Sequence, residues 1–223
     1  MEGIGENLWI QRHPLSLIGC KLGRNVTVIR LPTGKLVIHS TANFSSQDIE
    51  DIESKGEPGW LVEATNFHDT CASRGRQVFP DLPYLTPAGF RHAETDPILP
   101  APPEWEGELK VLEVAGMPRV REHVFFHANS KTLIVADLFF NLPRESGRWT
   151  LGFMRAMSGI KTYPDSSRFF RSFIRDREAF YESLRKMLEW DFKKVIVGHG
   201  EPLTGPDVRE RVLAALRKTG FSV

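Results

Sequence analysis

Lys194-Val195-Ile196-Val197-Gly198-His199-Gly200 reads as a short apolar strand that hands an imidazole to a glycine-rich turn. Val and Ile favour extended backbone, and the pattern stops abruptly at the glycines. Two other stretches have the same form. Trp60–Ala64 runs into the polar cluster Thr65-Asn66-Phe67-His68-Asp69-Thr70-Cys71, and Leu133–Ala136 runs into Asp137. An apolar strand with an acid or imidazole at its C-terminal end places that group in the loops above a sheet, where αβ proteins keep their sites.

The sequence around these three strand ends supplies the remaining elements. Ser167 to Leu188 carries Phe169, Phe173, Phe180, Leu184 and Leu188 at helical spacing, which predicts one amphipathic helix of about 20 residues ahead of the last strand. After that strand, Pro206 opens a final helix whose apolar side is Val208, Val212, Leu213 and Leu216. His123–Phe126 and Thr132–Ala136 form a hairpin leading into Asp137, with Lys110–Val114 as a strand before it. Val26–Arg30 and Lys35–His39 form another hairpin across Leu31-Pro32-Thr33-Gly34. Ser45 and Asp48 stand at capping-box spacing at the start of a short helix containing Ile49 and Ile52. Pro80–Pro103 reads as a surface connector with one short strand, Tyr84–Thr86, and 143–166 as an irregular or helical insert. Strands, then mixed elements, then helix–strand–helix suit a single domain, 1–223, of two sheets flanked by helices.

The chain has 223 residues, enough for one substantial core, with 41% hydrophobic and 26% charged residues. Its 29 basic and 28 acidic residues give a formal charge of +1, so electrostatics supply no reason to expect nucleic acid or an anionic membrane as partner. No apolar run reaches the roughly 18–20 residues of a membrane span. MEGIGENLWIQRHP lacks the basic and apolar regions of a secretory signal, and Cys20 and Cys71 make no disulfide framework. The expectation is a cytoplasmic protein. His123 and His127 have helical metal-pair spacing, but Val124-Phe125-Phe126 between them reads as strand. Residues four apart on a strand are separated by roughly 13 Å, too far to share one ion.

Taken together, Ala64–Cys71, Leu133–Asp137 and Val195–Gly200 resemble, in order and spacing, the metal motifs of the metallo-β-lactamase superfamily. Those motifs are Thr-His-x-His-x-Asp-His, a strand ending in Gly-Asp, and a last strand ending in Gly-His-Gly. Leu188–Gly200 is most similar to an uncharacterised branch whose members carry an Asn-containing variant of the first motif. The resemblance covers residues 26–216 and implies an α/β fold, a four-layer αβ/βα sandwich. It also implies substitutions in the ligand set: Asn66 stands at the first His, Thr70 at the Asp and Cys71 at the last His, while Met117 falls near the third His. His68, Asp137 and His199 are retained, although in the superfamily they belong to two different subsites bridged by the Asp.

Two imidazoles and a carboxylate meet the minimum for a catalytic zinc with an open position and also match sets used by iron. The first reading is therefore a metal-dependent hydrolase with an atypical mononuclear site for one divalent metal (Zn, Fe or Mn). His68, Asp137 and His199 are its ligands, Asp69 or Asp137 orients the attacking water, and Asn66 and Cys71 line a pocket for a small-molecule substrate. Esters, thioesters, lactones and phosphodiesters all suit such a fold. The second reading is a binding module that keeps fold and cleft without metal. In that case His199 orders its turn, Asn66 fixes its loop through backbone hydrogen bonds and Cys71 is a small buried residue. A third is a structural subunit whose exposed aromatics near Trp149 and Phe153 form a partner interface, which predicts a homodimer.

Overall fold

A computed structural model describes residues 1–91, 94–143, 146–156, 158–160 and 162–222. In chain order the strands and α-helices are β1 (Glu2–Gly5), β2 (Leu8–His13), β3 (Ser16–Leu17), β4 (Cys20–Lys21), β5 (Arg24–Arg30), β6 (Lys35–His39), α1 (Ser46–Glu53), β7 (Glu57–Val62), α2 (Ala72–Val78), β8 (Tyr84–Thr86), β9 (Asp96–Pro97), β10 (Leu109–Glu113), β11 (His123–His127), β12 (Thr132–Ile134), α3 (Arg148–Ala156), α4 (Arg168–Arg171), α5 (Arg177–Leu188), β13 (Lys194–Ile196) and α6 (Val208–Arg217). They form a seven-stranded sheet in the order β1-β2-β5-β6-β7-β8-β9 and a four-stranded sheet in the order β10-β11-β12-β13, with β3 and β4 as a separate small hairpin.

Strand alternation divides the side chains among three cores. In β5, β6 and β7, Val28, Ile38 and Leu61 pack outward against Ile52 of α1 and Ala72 of α2. Their neighbours Ile29, Val37 and Trp60 point the other way and meet Phe125, Ile134 and Ile196 of the second sheet. On the far side of that sheet Val124, Leu133 and Val195 cover Phe180, Leu184 and Met187 of α5 and Val212 and Leu216 of α6. The layers therefore run helix, sheet, sheet, helix: a four-layer αβ/βα sandwich. The second sheet is antiparallel up to β12, which then pairs in parallel with β13, Leu133 opposite Val195 and Ile134 opposite Ile196. That parallel pair sets the strand ends carrying Asp137 and His199 side by side.

Local chemistry accounts for the helix boundaries. Ser45 caps α1 by accepting from the Asp48 amide, while the Asp48 carboxylate accepts from the Ser45 amide, a reciprocal capping box. The single long helix expected over 167–188 is two, α4 and α5. The Arg175 and Asp176 amides both donate to the Gly116 carbonyl, at 2.8 and 3.2 Å, which turns the chain out of the helix. Asp176 then restarts it by accepting from the Ala179 amide at 3.1 Å. A Cβ on Gly116 would lie 2.1 Å from the Asp176 carbonyl oxygen, so only glycine permits this contact. The break points Phe169 outward, 61% exposed, while Phe180 and Leu184 stay in the core. Within the expected insert, α3 buries Thr150 and Met154, and residues 144, 145, 157 and 161 lie outside the described residues. No helix among the described residues is long and apolar enough to cross a membrane.

Candidate metal centre

Past the end of their ladder, the β12 and β13 chains stay adjacent: the Val135 amide donates to Ile196 O at 2.9 Å and the Gly198 amide to Ala136 O at 3.1 Å. Beyond this point Asp137 and His199 diverge into the loops. Gly198 makes the approach possible, since a Cβ there would stand 2.6 Å from Ala136 O and 3.0 Å from His68 Cε1. His68, in the loop after β7 of the other sheet, reaches across to meet them. One ligand atom from each of His68, Asp137 and His199 lies within 4.8 Å of the others, and all three residues are buried.

Both imidazoles aim Nε2 at Asp137 Oδ1, each at 3.5 Å. A zinc with ligand bonds of about 2.1 Å in tetrahedral geometry holds neighbouring ligand atoms about 3.4 Å apart, so two edges of the triangle already have the required length. The tautomers fit as well. His199 Nδ1 lies 2.6 Å from the Gly23 carbonyl, which only accepts, so this nitrogen carries a hydrogen and Nε2 is the one turned to Asp137. His68 Nδ1 faces Ser40 Oγ at 3.4 Å and Glu63 Oε2 at 3.8 Å, while its Nε2 is buried without a hydrogen-bond partner. A buried ring nitrogen without a partner is one that a cation would satisfy.

Protonation points the same way. Burial, reinforced by the nearby Arg24 guanidinium, brings the His68 imidazole down to about 4, so it is neutral at pH 7. Burial pushes the Asp137 carboxyl up, but the two imidazoles outweigh this and hold it below the ordinary carboxylate range. A neutral imidazole beside an ionised carboxylate is the form in which such side chains bind metal.

The supporting residues were not singled out from the sequence. Glu122, fully buried, accepts from the Ala136, Asp137 and Leu138 amides at 3.0, 3.0 and 3.1 Å, and so fixes the turn that presents Asp137. Burial and the neighbouring Asp137 push its carboxyl up to about 8. Asn25 donates its side-chain amide to Val197 O and Gly200 O, at 2.8 and 2.7 Å, bracing the loop on both sides of His199. Behind His68, Arg24 Nη2 pairs with Glu63 Oε2 at 2.8 Å and donates to His68 O at 3.2 Å. Glu63 Oε1 accepts from the amide and hydroxyl of Thr41. The signal that could have found Glu63 and Glu122 is a lone carboxylate set among buried-strand residues, Val62-Glu63-Ala64 and Glu122-His123-Val124.

Asn66 and Asp69 line the same cavity as the triad. Cys71 does not: it is buried at the start of α2, and burial pushes its thiol up. Met117 lies in the core against α5, away from the site. His123 and His127 lie at opposite ends of β11, as strand geometry requires.

The chain matches no family by sequence pattern and no curated protein. Its structure is similar to that of the metallo-β-lactamase from Hirschia baltica, with 13% identity, coverage of 96% of this chain and 95% of that one, and a TM-score of 0.63. FIM-1 from Pseudomonas aeruginosa, a metallo-β-lactamase in its mono-zinc form, matches at 12% identity over 99% and 96%, TM-score 0.62. The metallo-β-lactamase from Pontibacter korlensis matches at 12% identity over 96% and 97%, TM-score 0.61. The chain has the metallo-β-lactamase fold, and it holds a His-Asp-His cluster with the spacing and chemistry of a metal site.

Proposed function

We propose that the protein is a metal-dependent hydrolase of small-molecule substrates, with one divalent ion held by His68, Asp137 and His199. The observation that carries this reading is the convergence of two Nε2 atoms on one Asp137 oxygen, each at 3.5 Å. A single ion is favoured because Cys71, which would have to serve a second subsite, is not among the residues lining the cavity.

When bound, a divalent ion at such a site supplies Lewis acidity, lowering the pKa of water toward 7 and polarising an acyl or phosphoryl oxygen. The chain's own residues do the rest. Gly23 and Glu63 set the imidazole orientations, Glu122 holds the Asp137 turn, and Asp69, on the cavity wall, is the carboxylate we assign to orient the attacking water and take its proton. Asn66 offers a side-chain amide to the substrate.

Metal analysis tests the reading. Protein purified without chelator is expected to carry close to one equivalent of zinc, iron or manganese, and His199→Ala to carry none. Absence of metal from both, even after reconstitution, overturns it and leaves a binding module.

A further inference from the structure

We infer that the substrate is a neutral carboxylic ester or thioester with a large apolar acyl group, which lies in the cavity above the His68–Asp137–His199 cluster. This rests on the hydrolase reading and narrows its substrate class. The cavity has a volume of about 560 Å³, within the range of small-molecule sites. Its walls are Leu17 and Leu22 from the N-terminal strands, Phe140, Phe153 and Met154 around α3, and Phe170 of α4. Apart from Ser158 and Ser167 between α3 and α4, its polar groups belong to the metal cluster, Arg24 and the loop 66–70, so a ligand that fits has one polar, reactive end and a largely apolar body.

Charge separates the candidate chemistries. Arg24 is the only cationic side chain among the described lining residues, and it is already paired with Glu63 at 2.8 Å, while Asp69 and Asp137 face the same space. A phosphodiester brings a negative charge for which, apart from the ion itself, no unpaired cationic side chain lines the described wall, whereas a neutral acyl ester brings none.

The mouth carries the second, independent signal. The large hydrophobic residues exposed on the described surface are Leu17, Ile18, Leu99, Trp149 and Phe169. Three of these line the cavity, and Trp149 packs beside Gly19 at the tip of the β3–β4 hairpin. Ile18 is 82% exposed and holds φ at 52°, a left-handed conformation that a β-branched side chain rarely adopts. Asn or Gly would suit that tip better in water, on both counts. An apolar side chain kept there against both backbone and solvent preference acquires a purpose when an acyl chain covers it.

In the reaction, water adds its oxygen to the acyl carbon, the bond from that carbon to the ester oxygen or thioester sulfur breaks, and the leaving alkoxide or thiolate takes a proton from the water. The products are a carboxylic acid and an alcohol or thiol.

Binding and turnover separate this proposal from the one beneath it. Calorimetric titration of the chelator-treated full chain with methyl butanoate, octanoate and decanoate is expected to show affinity rising by up to about fourfold per methylene. A flat series, or no binding, overturns the acyl assignment whatever the metal does. Cosedimentation with phosphatidylcholine vesicles, or a dimer dissociated by Phe169→Asp, alongside a flat series assigns the mouth to a membrane or a second copy and equally overturns it. Chain-length-dependent binding without hydrolysis of p-nitrophenyl decanoate by the metal-loaded protein overturns the hydrolase reading and leaves the ligand class standing. Ile18→Asn is expected to raise the melting temperature while weakening decanoate-ester binding roughly tenfold. Unchanged binding in that variant removes the hairpin tip from the site.

Discussion

The two histidines of the candidate centre are held by opposite means. His199 rests on neutral groups: the Gly23 carbonyl on its Nδ1, the Asn25 amide across its loop, and the Phe140 ring stacked on it with centroids 5.3 Å apart and planes 13° from parallel. His68 rests on a buried ion pair, Arg24–Glu63, and has no ring nitrogen bond as short. The first arrangement tolerates small errors, because each neutral hydrogen bond contributes only about 1 kcal/mol. The second is all or nothing, because a charge left alone in the interior costs far more than the pair contributes.

Removing half of the pair should therefore give the largest effect. Arg24→Met or Glu63→Leu is expected to destabilise the fold by about 3–5 kcal/mol, and the double variant to recover much of that loss. Thermal or denaturant unfolding of all three reads it, and losses that simply add would erase the contrast with His199. On the other side, Asn25→Ala strands the buried Val197 carbonyl and the half-buried Gly200 carbonyl and is expected to cost about 1–3 kcal/mol. It should also weaken metal affinity by roughly tenfold, measured by competition with a chromogenic chelator. An effect as large as that of Arg24→Met would make the two supports equivalent.

Acid should strain the His68 side. His39, fully buried against Phe125, is pushed down to about 3 by burial, with His68 and Arg24 adding to the shift. The unfolded chain titrates this group near 6.5, so between 6.5 and about 3 the unfolded state binds the extra proton. Stability is then lost as pH falls, by up to about 1.4 kcal/mol per pH unit for this residue. Melting temperatures across that range should fall more gently in His39→Leu, and parallel curves would exclude the assignment. The smallest effect is expected at Phe140→Leu, about 0.5–1.5 kcal/mol beyond the area lost. Its readout is the unfolding midpoint together with metal affinity, and a loss above that of Asn25→Ala would make the stacked ring the main support of His199.

The same contrast explains what the sequence discloses. His199, Asp137 and His68 stand out because each ends an apolar strand, and the alternation along β5–β7 and β11–β13 separates the three cores. Arg24 and Asn25 give no such signal: a charged or amide residue at the start of a strand ordinarily faces water, and Glu63 shows only as a carboxylate among buried-strand residues; the partner opposite, 39 residues away for Arg24 and Glu63, makes burial affordable. The helix break at 172–176 was equally hidden, since Phe169 and Phe173 continue the helical period and the interruption comes from the distant Gly116 carbonyl. Cys71 lies beside the right residues in sequence, but the turn into α2 takes it off the cavity wall.

The cluster draws on both sheets: His68 from the end of a strand in the first, Asp137 and His199 from the second. No segment shorter than 68–199 contains all three, and the parallel β12–β13 pair that aligns two of them closes across 62 residues. This cluster cannot form during synthesis until the chain through His199 has emerged and both sheets have docked. An ion held by it would therefore load late, after assembly, and by mass action would add to the free energy needed to take the sandwich apart.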